Sequence, residues 1–232
     1  MFSFKQFTIH QDRTAMKVCT DACVLGAYAD VSGGRILDIG TGTGLLALMA
    51  AQRNREARVD AVEVDAAAFG QAVENVAASP FGAHVDVIHR RIQDFGADGK
   101  RYDRILTNPP FYTNHLRSPD AAVNRALHTD ELPFQELIDA VVRLLSPIGQ
   151  WWVLLPPYET ETLSELAQNQ GLNPFRTLSL RHDARKPIFR LITGLSFQPS
   201  EHQEEQLTIY EPDGRTYTTF FRDLLRDFYL IF

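Results

Sequence analysis

The chain has 232 residues, of which 44% are hydrophobic and 22% charged, values that are typical of one globular domain and not of a disordered chain. No apolar run is long enough for a membrane span, residues 1–7 lack the apolar stretch of a secretory signal, and Cys19 and Cys23 complete neither a disulfide framework nor a metal site, so we expect a reduced, cytoplasmic protein without a metal. The formal net charge of −6 is not typical of a nucleic-acid-binding protein, because phosphate contacts require clustered lysine and arginine.

The hydrophobic pattern predicts alternating strands and helices. In chain order the predicted elements are an arm over residues 1–34 with a short helix near Asp21–Ala29, strand Arg35–Ile39, helix Gly44–Arg53, strand Arg58–Val64, helix Ala66–Ala78, strands His84–His89 and Tyr102–Thr107, helix Pro133–Leu145, strand Gln150–Leu155, helix Glu159–Gln170, and strands Phe175–Leu180 and Phe189–Phe197.

This alternation is typical of an α/β fold, in which helices cover both faces of a mainly parallel sheet. The last two predicted strands are joined by a short link, which predicts an antiparallel hairpin at the edge of the sheet. We expect one domain over residues 1–232, with the arm at 1–34, a core at 35–200 and a C-terminal extension over 201–232 packed on that core. Residues 112–131 have no clear period and indicate either a functional or a disordered loop.

A glycine-rich turn, Asp38–Gly44, follows the first strand of the core and leads into a helix. Its glycines, Gly40, Gly42 and Gly44, allow a sharp turn and the close approach of a ligand. A dinucleotide-binding fingerprint requires glycine or alanine where Leu45 stands, and no lysine follows to make a phosphate loop. The carboxylate of Asp38 favours a cationic ligand, and S-adenosylmethionine, which carries an ammonium and a sulfonium, fits this chemistry.

Two further acids follow the next two strands. Glu63 closes the second strand, where an acid can bind ribose hydroxyls, and Asp94 follows the third strand, where a carboxylate could accept a hydrogen bond from an adenine amino group. Taken singly, Glu63 or Asp94 could equally be an acidic residue of a solvent-exposed loop without a function. Together with the glycine turn, in this order on successive strands, they predict the binding site of a nucleoside-containing cofactor.

The fourth strand ends in Asn108-Pro109-Pro110-Phe111. Ligands of open α/β sheets bind beyond the carboxyl ends of the strands, so the location fits a catalytic site. An exocyclic base amine is a weak nucleophile, because its lone pair is delocalised into the ring. The Asn108 side-chain carbonyl and the Pro109 backbone carbonyl could accept its two N–H groups and aim the lone pair. Pro109 and Pro110 make the corner rigid, and Phe111 offers a face on which a flipped base could stack.

The densest group of cations lies between Arg176 and Arg190 and contains Arg181, Arg185 and Lys186 within the predicted hairpin. Such a group is typical either of an RNA contact or of a solvated face, and the sequence leaves both interpretations open.

These motifs resemble the N-P-P-[FY] branch of the class I methyltransferases, and the chain is similar over nearly its whole length to the bacterial tRNA1(Val) adenine-N6 methyltransferases. The narrower resemblance rests on the stretches Phe4–Phe7, Met16–Asp21, Leu25–Tyr28, Arg181–Pro187 and Asp227–Leu230. One departure is Cys19, where that family is expected to have glycine.

The resemblance implies a Rossmann-like class I fold with a mostly parallel seven-stranded sheet, S-adenosylmethionine as cofactor, and tRNA as substrate, with no obligate protein partner. The reaction implied is methylation of the N6 amine of adenine 37, next to the anticodon of tRNA1(Val). Lys17, Thr20 and Asp21 are then expected beside the cofactor or the target base, although they fit the capped, solvated start of a helix equally well. Tyr112, directly after the Asn-Pro-Pro-Phe motif, is a further expected tRNA contact.

Three other functions remain open. Glutamine-N5 protein methyltransferases usually have tyrosine where Phe111 stands and carry a separate N-terminal helical domain. Guanine-N2 rRNA methyltransferases typically have histidine where Tyr112 stands. A non-catalytic, cofactor-binding RNA module is a third interpretation, and the intact set of Asp38, Glu63, Asp94 and Asn108 argues against it.

Overall fold

The computed structural model describes residues 1–14, 16–96, 99–109 and 134–232. Its elements in chain order are β1 (Phe2–Ser3), β2 (Thr8–Ile9), α1 (Thr20–Tyr28), β3 (Arg35–Ile39), α2 (Leu45–Arg53), β4 (Arg58–Glu63), α3 (Ala66–Ala77), β5 (Val85–His89), β6 (Tyr102–Thr107), α4 (Phe134–Leu144), β7 (Leu145–Leu155), α5 (Pro157–Gln168), β8 (Asn173–Arg181), β9 (Ile188–Ser196), β10 (Gln203–Thr208) and α6 (Thr219–Leu225).

One large sheet has the strand order β10-β8-β9-β7-β6-β3-β4-β5. All of its pairings are parallel except those that β9 makes with β7 and β8. β1 and β2 pair separately as a short antiparallel ribbon in the arm. The prediction of a mostly parallel α/β sheet is confirmed, and the carboxyl ends of β3, β4, β5, β6, β7, β8 and β10 lie along one edge of it.

The predicted strand count and the place of the hairpin need correction. The sheet formed by the described residues has eight strands, not seven, and the β8–β9 hairpin is not its edge, because β10 pairs with β8 in parallel. β10 was missed because four of its six residues are exposed and polar, Gln203–Gln206, and only Leu207 is buried. An edge strand of this kind shows no hydrophobic alternation.

Two apolar clusters cover the two faces of the sheet. On one face α4 and α5 bury Leu137, Val141 and Leu163, together with Trp151 of β7. On the other face α1 and α2 pack with the arm and α6 around Trp152. The two adjacent tryptophans point to opposite faces, because successive side chains of a strand alternate.

The arm and the residues after 200 share the second of these faces. The backbone N–H of Lys5 donates to the carbonyl of Phe228 at 2.8 Å, and Phe221 and Leu225 of α6 are buried in the cluster that contains Phe4 and Phe7. α6 begins at a capped end, where the hydroxyl of Thr218 accepts from the N–H of Phe221 at 3.3 Å.

Candidate functional site

The glycine turn lies at the carboxyl end of β3. Gly40, Gly42 and Gly44 have φ angles of +70°, +58° and +86°, which residues with a side chain rarely adopt. A Cβ atom built on Gly40 or Gly42 would meet no other part of the described chain within 4 Å, so open space lies beside the turn. The structure therefore leaves room for a ligand against this backbone.

Asp38 lies directly before the turn and is fully buried. Its Oδ2 accepts hydrogen bonds from the Thr41 hydroxyl at 2.5 Å and from the N–H of Ala47 at 3.1 Å, whereas its Oδ1 has no partner among the described residues. Burial raises the pKa of Asp38 to about 7 in spite of these two hydrogen bonds, and the nearby charge of Glu63 adds to the increase. An unfilled, buried carboxylate oxygen suits a cationic ligand, which would stabilise its ionised form.

Glu63 ends β4 and connects the glycine turn to the next loop. One of its oxygens accepts from the N–H of Gly42 at 2.8 Å, and the other accepts from the N–H groups of Val64 and Asp65, each at 2.8 Å. A carboxylate offers about four acceptor positions. Glu63 can therefore hold the turn in place and still accept a hydrogen bond from a ribose hydroxyl.

Asp94 lies at the end of a short 3-10 turn, Ile92–Asp94, that follows β5. β5 is the neighbour of β4, and the pairing of His89 with Glu63 places the ends of the two strands side by side. Asp94 is exposed at this same edge of the sheet. This position fits the expected contact with an adenine amino group.

The Asn108 corner follows β6, the other neighbour of β3. Thr107 pairs with Ile39, so the next residues of the two strands, Asn108 and Gly40, lie side by side. The Thr107 hydroxyl accepts a hydrogen bond from the indole of Trp151 at 3.1 Å, which fixes the end of the strand. Within the described residues Asn108 Oδ1 is buried without a hydrogen-bond partner, and Pro109 is buried. Pro110, Phe111 and Tyr112 lie outside the described residues.

The three arm residues expected at the site have different surroundings. The Lys17 ammonium donates to backbone carbonyls of its own arm, those of Gln11 and Thr14. Thr20 is the exposed first residue of α1. Asp21 is nearly buried and accepts from the guanidinium of Arg190 at 3.0 Å, which joins α1 to the β8–β9 hairpin. The structure thus brings Asp21 to the carboxyl edge but holds Lys17 within the arm.

The turn of the hairpin displays part of the predicted cation group. Asp183 accepts from both the backbone N–H and the guanidinium of Arg185, at 2.9 and 3.2 Å, and the N–H of Lys186 donates to its carbonyl. This tight turn leaves the Arg185 side chain 71% exposed. Lys186 is exposed as well, while Arg181 is half-buried and donates to the carbonyl of Ala184.

The other two cations of that group have acidic partners. Arg176 pairs with Glu205 of β10 at 3.8 Å, and Arg190 pairs with Asp21. The cations that the turn itself carries are therefore Arg181, Arg185 and Lys186.

Two amides of α3 were missed by the sequence analysis. Asn75 is buried, donates to the carbonyls of Thr43 and His10, each at 2.9 Å, and accepts from the N–H of His10. Gln71, one helical turn earlier, accepts from the N–H of Arg13 at 2.8 Å. They tie the arm to the glycine turn. The available signal was their spacing of four residues, on the same helix face as the small apolar residues Ala72 and Val76.

Neither a membrane-spanning helix nor a metal-binding group was found in the described part of the chain. None of its helices combines the length and the apolar character that crossing a bilayer requires. No cluster of three or more histidine, cysteine, aspartate or glutamate side chains is placed there to hold a metal ion.

A family model described as "Methyltransferase small domain" matches residues 22–160. Several curated proteins that match the whole chain carry the name tRNA1(Val) (adenine(37)-N6)-methyltransferase. The protein from Dyadobacter fermentans is 50% identical, over 100% of this chain and 98% of its own length. Those from Tolumonas auensis and Bacteroides fragilis are 45% and 41% identical, over 99% of this chain and 96% and 97% of their own lengths.

Solved structures share the fold. A protein from Agrobacterium tumefaciens described as a predicted O-methyltransferase has a TM-score of 0.68 at 18% identity, over 89% of this chain and 96% of its own. A TehB-like SAM-dependent methyltransferase from Corynebacterium glutamicum has a TM-score of 0.51 at 15% identity, over 78% and 89% of the two chains. At such identities these two similarities show the fold alone.

Proposed function

Because this chain belongs to the methyltransferase small-domain family and, within it, to the tRNA1(Val) (adenine(37)-N6)-methyltransferases, we propose that it transfers a methyl group from S-adenosylmethionine to the N6 amine of adenine 37 in tRNA1(Val). The names of the relatives favour this reaction over guanine-N2 and glutamine-N5 methylation. Of the structural observations, the one that carries the proposal is the buried Oδ1 of Asn108, which has no hydrogen-bond partner among the described residues and lies at the end of the strand next to the glycine turn.

The residues around the glycine turn fit the proposed cofactor. Asp38 has a carboxylate oxygen without a partner in the described part of the chain, which can accept from an ammonium group, and Glu63 keeps acceptor capacity for a ribose hydroxyl. Asp94 is exposed in the turn after β5, where it can accept from an adenine amino group. Open space beside Gly40 and Gly42 admits the ligand. When bound, S-adenosylmethionine supplies a methyl group made electrophilic by its sulfonium.

Asn108 and Pro109 orient the nucleophile. The Asn108 Oδ1 accepts one N–H of the target amine, and the carbonyl of Pro109 accepts the other. These two hydrogen bonds localise the nitrogen lone pair and direct it towards the methyl donor. The methylated amine is acidic and loses a proton to water, so no general base is required. Pro110 keeps the corner rigid and Phe111 stacks on the flipped base, two roles that rest on the sequence motif.

The hairpin turn and the start of the chain contribute to tRNA binding. We assign phosphate contacts to Arg181, Arg185 and Lys186, because these cations project from a turn at the same edge of the sheet as Asn108. Tyr112 is a further tRNA contact on the basis of its position after the motif. Lys17, Thr20 and Asp21 remain assigned to a place beside the cofactor or the target base on the resemblance alone; of these, Asp21 has the ion pair with Arg190 in its support, whereas the Lys17 ammonium is bound to carbonyls of the arm.

Nucleoside mass spectrometry tests the proposal. tRNA1(Val) is purified from cells with the gene, without it, and without it but supplied with the Asn108→Ala variant. We expect N6-methyladenosine at position 37 only in the first sample. N2-methylguanosine as the missing nucleoside, or an unchanged N6-methyladenosine content in all three samples, would contradict the assignment.

A further inference from the structure

The rings of His182 and Phe189 stack beside the hairpin turn. Their centroids are 4.3 Å apart and their planes differ by 6°. His182 is exposed, its imidazole makes no hydrogen bond within the described residues, and no second ring described in the structure stacks on it. An exposed imidazole that stacks on a single ring contributes little to the apolar core. Its other face is open to a ligand.

The pair lies at the same edge of the sheet as the Asn108 corner. β8 runs in the direction of β7 and β9 returns, so the turn between them projects from the carboxyl edge. The strand pairings place in one row Thr107 of β6, Val153 of β7, Thr193 of β9 and Thr177 of β8. Asn108 is the next residue after this row, while His182 lies several residues beyond it and three strands away. Strand spacing and rise place the two about 20 Å apart.

Contacts on several sides hold the pair in position. Phe189 packs against the apolar core, and the guanidinium of Arg190 lies 5.7 Å from the centroid of its ring. Arg190 is in turn bound to Asp21 of α1. The carbonyl of His182 accepts from the N–H of Tyr210, just after β10, at 2.8 Å. The imidazole is therefore a preorganised aromatic surface, which lowers the entropy lost on binding.

The electrostatic surroundings favour a nucleic acid. Arg181 precedes His182 directly, and Arg185 and Lys186 follow within the same turn, in a protein whose net charge is −6. Aromatic rings interleaved with cations are the typical surface for unpaired nucleotides, because the rings stack on bases and the cations contact phosphates.

We propose that the free face of the His182 imidazole, supported from behind by Phe189, stacks on a second unpaired base of the tRNA anticodon loop, distinct from the target adenine. The distance of about 20 Å from Asn108 excludes the methylated base itself and corresponds to a nucleotide several positions away. The inference rests on the proposed function, since it takes the RNA substrate from there. It adds a stacking contact that the three cations of the turn do not provide.

The test measures the Kd of a full-length tRNA1(Val) transcript at several salt concentrations for the wild type, His182→Ala and His182→Tyr. We expect His182→Ala to raise Kd by about 5- to 100-fold, the range for one base stacked on an aromatic ring. The slope of log Kd against log salt should stay unchanged, because the cations that bind phosphate are all kept. His182→Tyr, which keeps a stacking face, should restore most of the affinity.

His202→Ala is the matched control. His202 is also exposed, but it lies directly before the first residue of β10, away from the hairpin turn, and its imidazole is hydrogen-bonded to the Thr177 hydroxyl in the middle of β8. Its replacement should leave tRNA affinity unchanged. Melting temperature and S-adenosylmethionine binding, measured on every variant, show whether the fold is kept.

Three results would overturn the stacking contact: an unchanged Kd in His182→Ala, a flattened salt slope in that variant, or a tyrosine variant as weak as the alanine variant. Failure of the proposed function is distinguishable, because it appears in the wild type as absent methylation of adenine 37. A wild type that methylates adenine 37, paired with an unaffected His182→Ala variant, contradicts only the stacking contact.

Discussion

Two buried acceptor oxygens at the carboxyl edge of the sheet, Asp38 Oδ1 and Asn108 Oδ1, have no hydrogen-bond partner among the described residues. An acceptor left in this state destabilises a folded protein by about 1–3 kcal/mol. Such groups are rare in folded proteins, and at a functional site a ligand or an ordered water can complete them. We therefore infer that the two oxygens face ligands, Asp38 the cofactor and Asn108 the target amine.

Replacement of Asn108 tests the second of these roles. Asn108→Ala removes one acceptor for the amine and leaves one of its N–H groups without a partner. We expect kcat for tRNA methylation to fall by about 100- to 1000-fold, because the variant cannot form a preorganised hydrogen bond of the transition state. The affinity for S-adenosylmethionine, measured by titration calorimetry, should change little. Full activity of the variant would leave the Asn-Pro-Pro-Phe motif as a rigid turn only.

Asn108→Asp separates orientation of the amine from general-base catalysis. A carboxylate still accepts hydrogen bonds, so partial activity is expected from orientation alone. A general-base role instead predicts activity equal to or above that of the wild type, with a rate that rises through the titration of the new carboxylate. The pH–rate profile of the variant distinguishes the two mechanisms.

The buried carboxyl of Asp38 predicts a pH dependence of stability. Burial raises its pKa to about 7 in the ligand-free fold, from an ordinary value of 3.8. Between about pH 4 and pH 7 the folded protein keeps a proton that the unfolded chain has released, so this group makes stability fall as pH rises. In Asp38→Asn this contribution is absent. As pH rises from about 4 to about 7, the melting temperature of the wild type should fall relative to that of the variant. The opposite trend would contradict the raised pKa of Asp38.

At the scale of elements, the β8–β9 hairpin and α1 form one connected unit. The ion pair of Arg190 and Asp21 joins them. It links the start of β9, just after the turn with the cations, to the first turn of α1. The arm is connected to the glycine turn through Asn75. The hydrogen bonds of Asn75 thus link the proposed cofactor loop directly to the arm.

The cations of the hairpin turn predict a salt effect. Replacement of Arg181, Arg185 and Lys186 with alanine should weaken tRNA binding and flatten its salt dependence, by about 0.7–0.9 in the logarithmic slope for each phosphate that the variant no longer neutralises. Filter binding at several salt concentrations measures both quantities, and cofactor binding should be unaffected.

Arg176→Ala is the control for this variant, since Arg176 belongs to the same stretch of sequence but is paired with Glu205. Its slope should equal that of the wild type. An unchanged slope in the triple variant would show that the turn is a solvated face and that tRNA binds elsewhere.

For the molecule as a whole, the sequence predicted the buried elements well. The bounds of β3 and β6 agree with the prediction, and those of α2, α3 and β4 differ by one residue at one end. These segments combine an unbroken apolar run or helical face with a clear turn or cap at their ends, as when Asp65 accepts from the N–H of Ala68 at 2.8 Å at the start of α3. The order of the site residues along successive strands followed from the same pattern.

The elements that the sequence did not predict depend on long-range contacts. β7 begins at Leu145, five residues before the predicted start. The prediction began too late because Pro147 and Gly149 are typical of a turn. β10 and α6 become regular only by pairing with β8 and by packing on the shared apolar face. The Arg190–Asp21 pair joins residues far apart in the chain, a contact for which a single sequence carries no signal.

The contacts of residues 201–232 suggest that this extension folds with the core as one unit, and a truncation tests this. Removing 203–232 deletes β10 and the buried side chains of Leu207, Phe221, Leu225 and Phe228. Each buried side chain contributes about 1.5–3 kcal/mol, and the net stability of a domain is about 5–15 kcal/mol.

We therefore expect the truncated chain to lose its cooperative thermal transition by circular dichroism. Leu230→Ser, a change at a side chain that is 62% exposed in the same extension, is the control and should alter stability by no more than about 0.5 kcal/mol. A truncated chain that melts cooperatively near the wild-type temperature would make the extension a separate unit.

The polar character of β10 also bears on solubility. The last strand of a sheet exposes unpaired N–H and C=O groups, to which a strand of another molecule can add. β10 carries exposed Glu204 and Glu205 in succession at this position. If β10 of a second copy paired with this edge, the negatively charged carboxylates of the two strands would be brought together and partly buried, which is unfavourable. The strand that closes the sheet thus also opposes its growth into aggregates at the concentrations used for structural work.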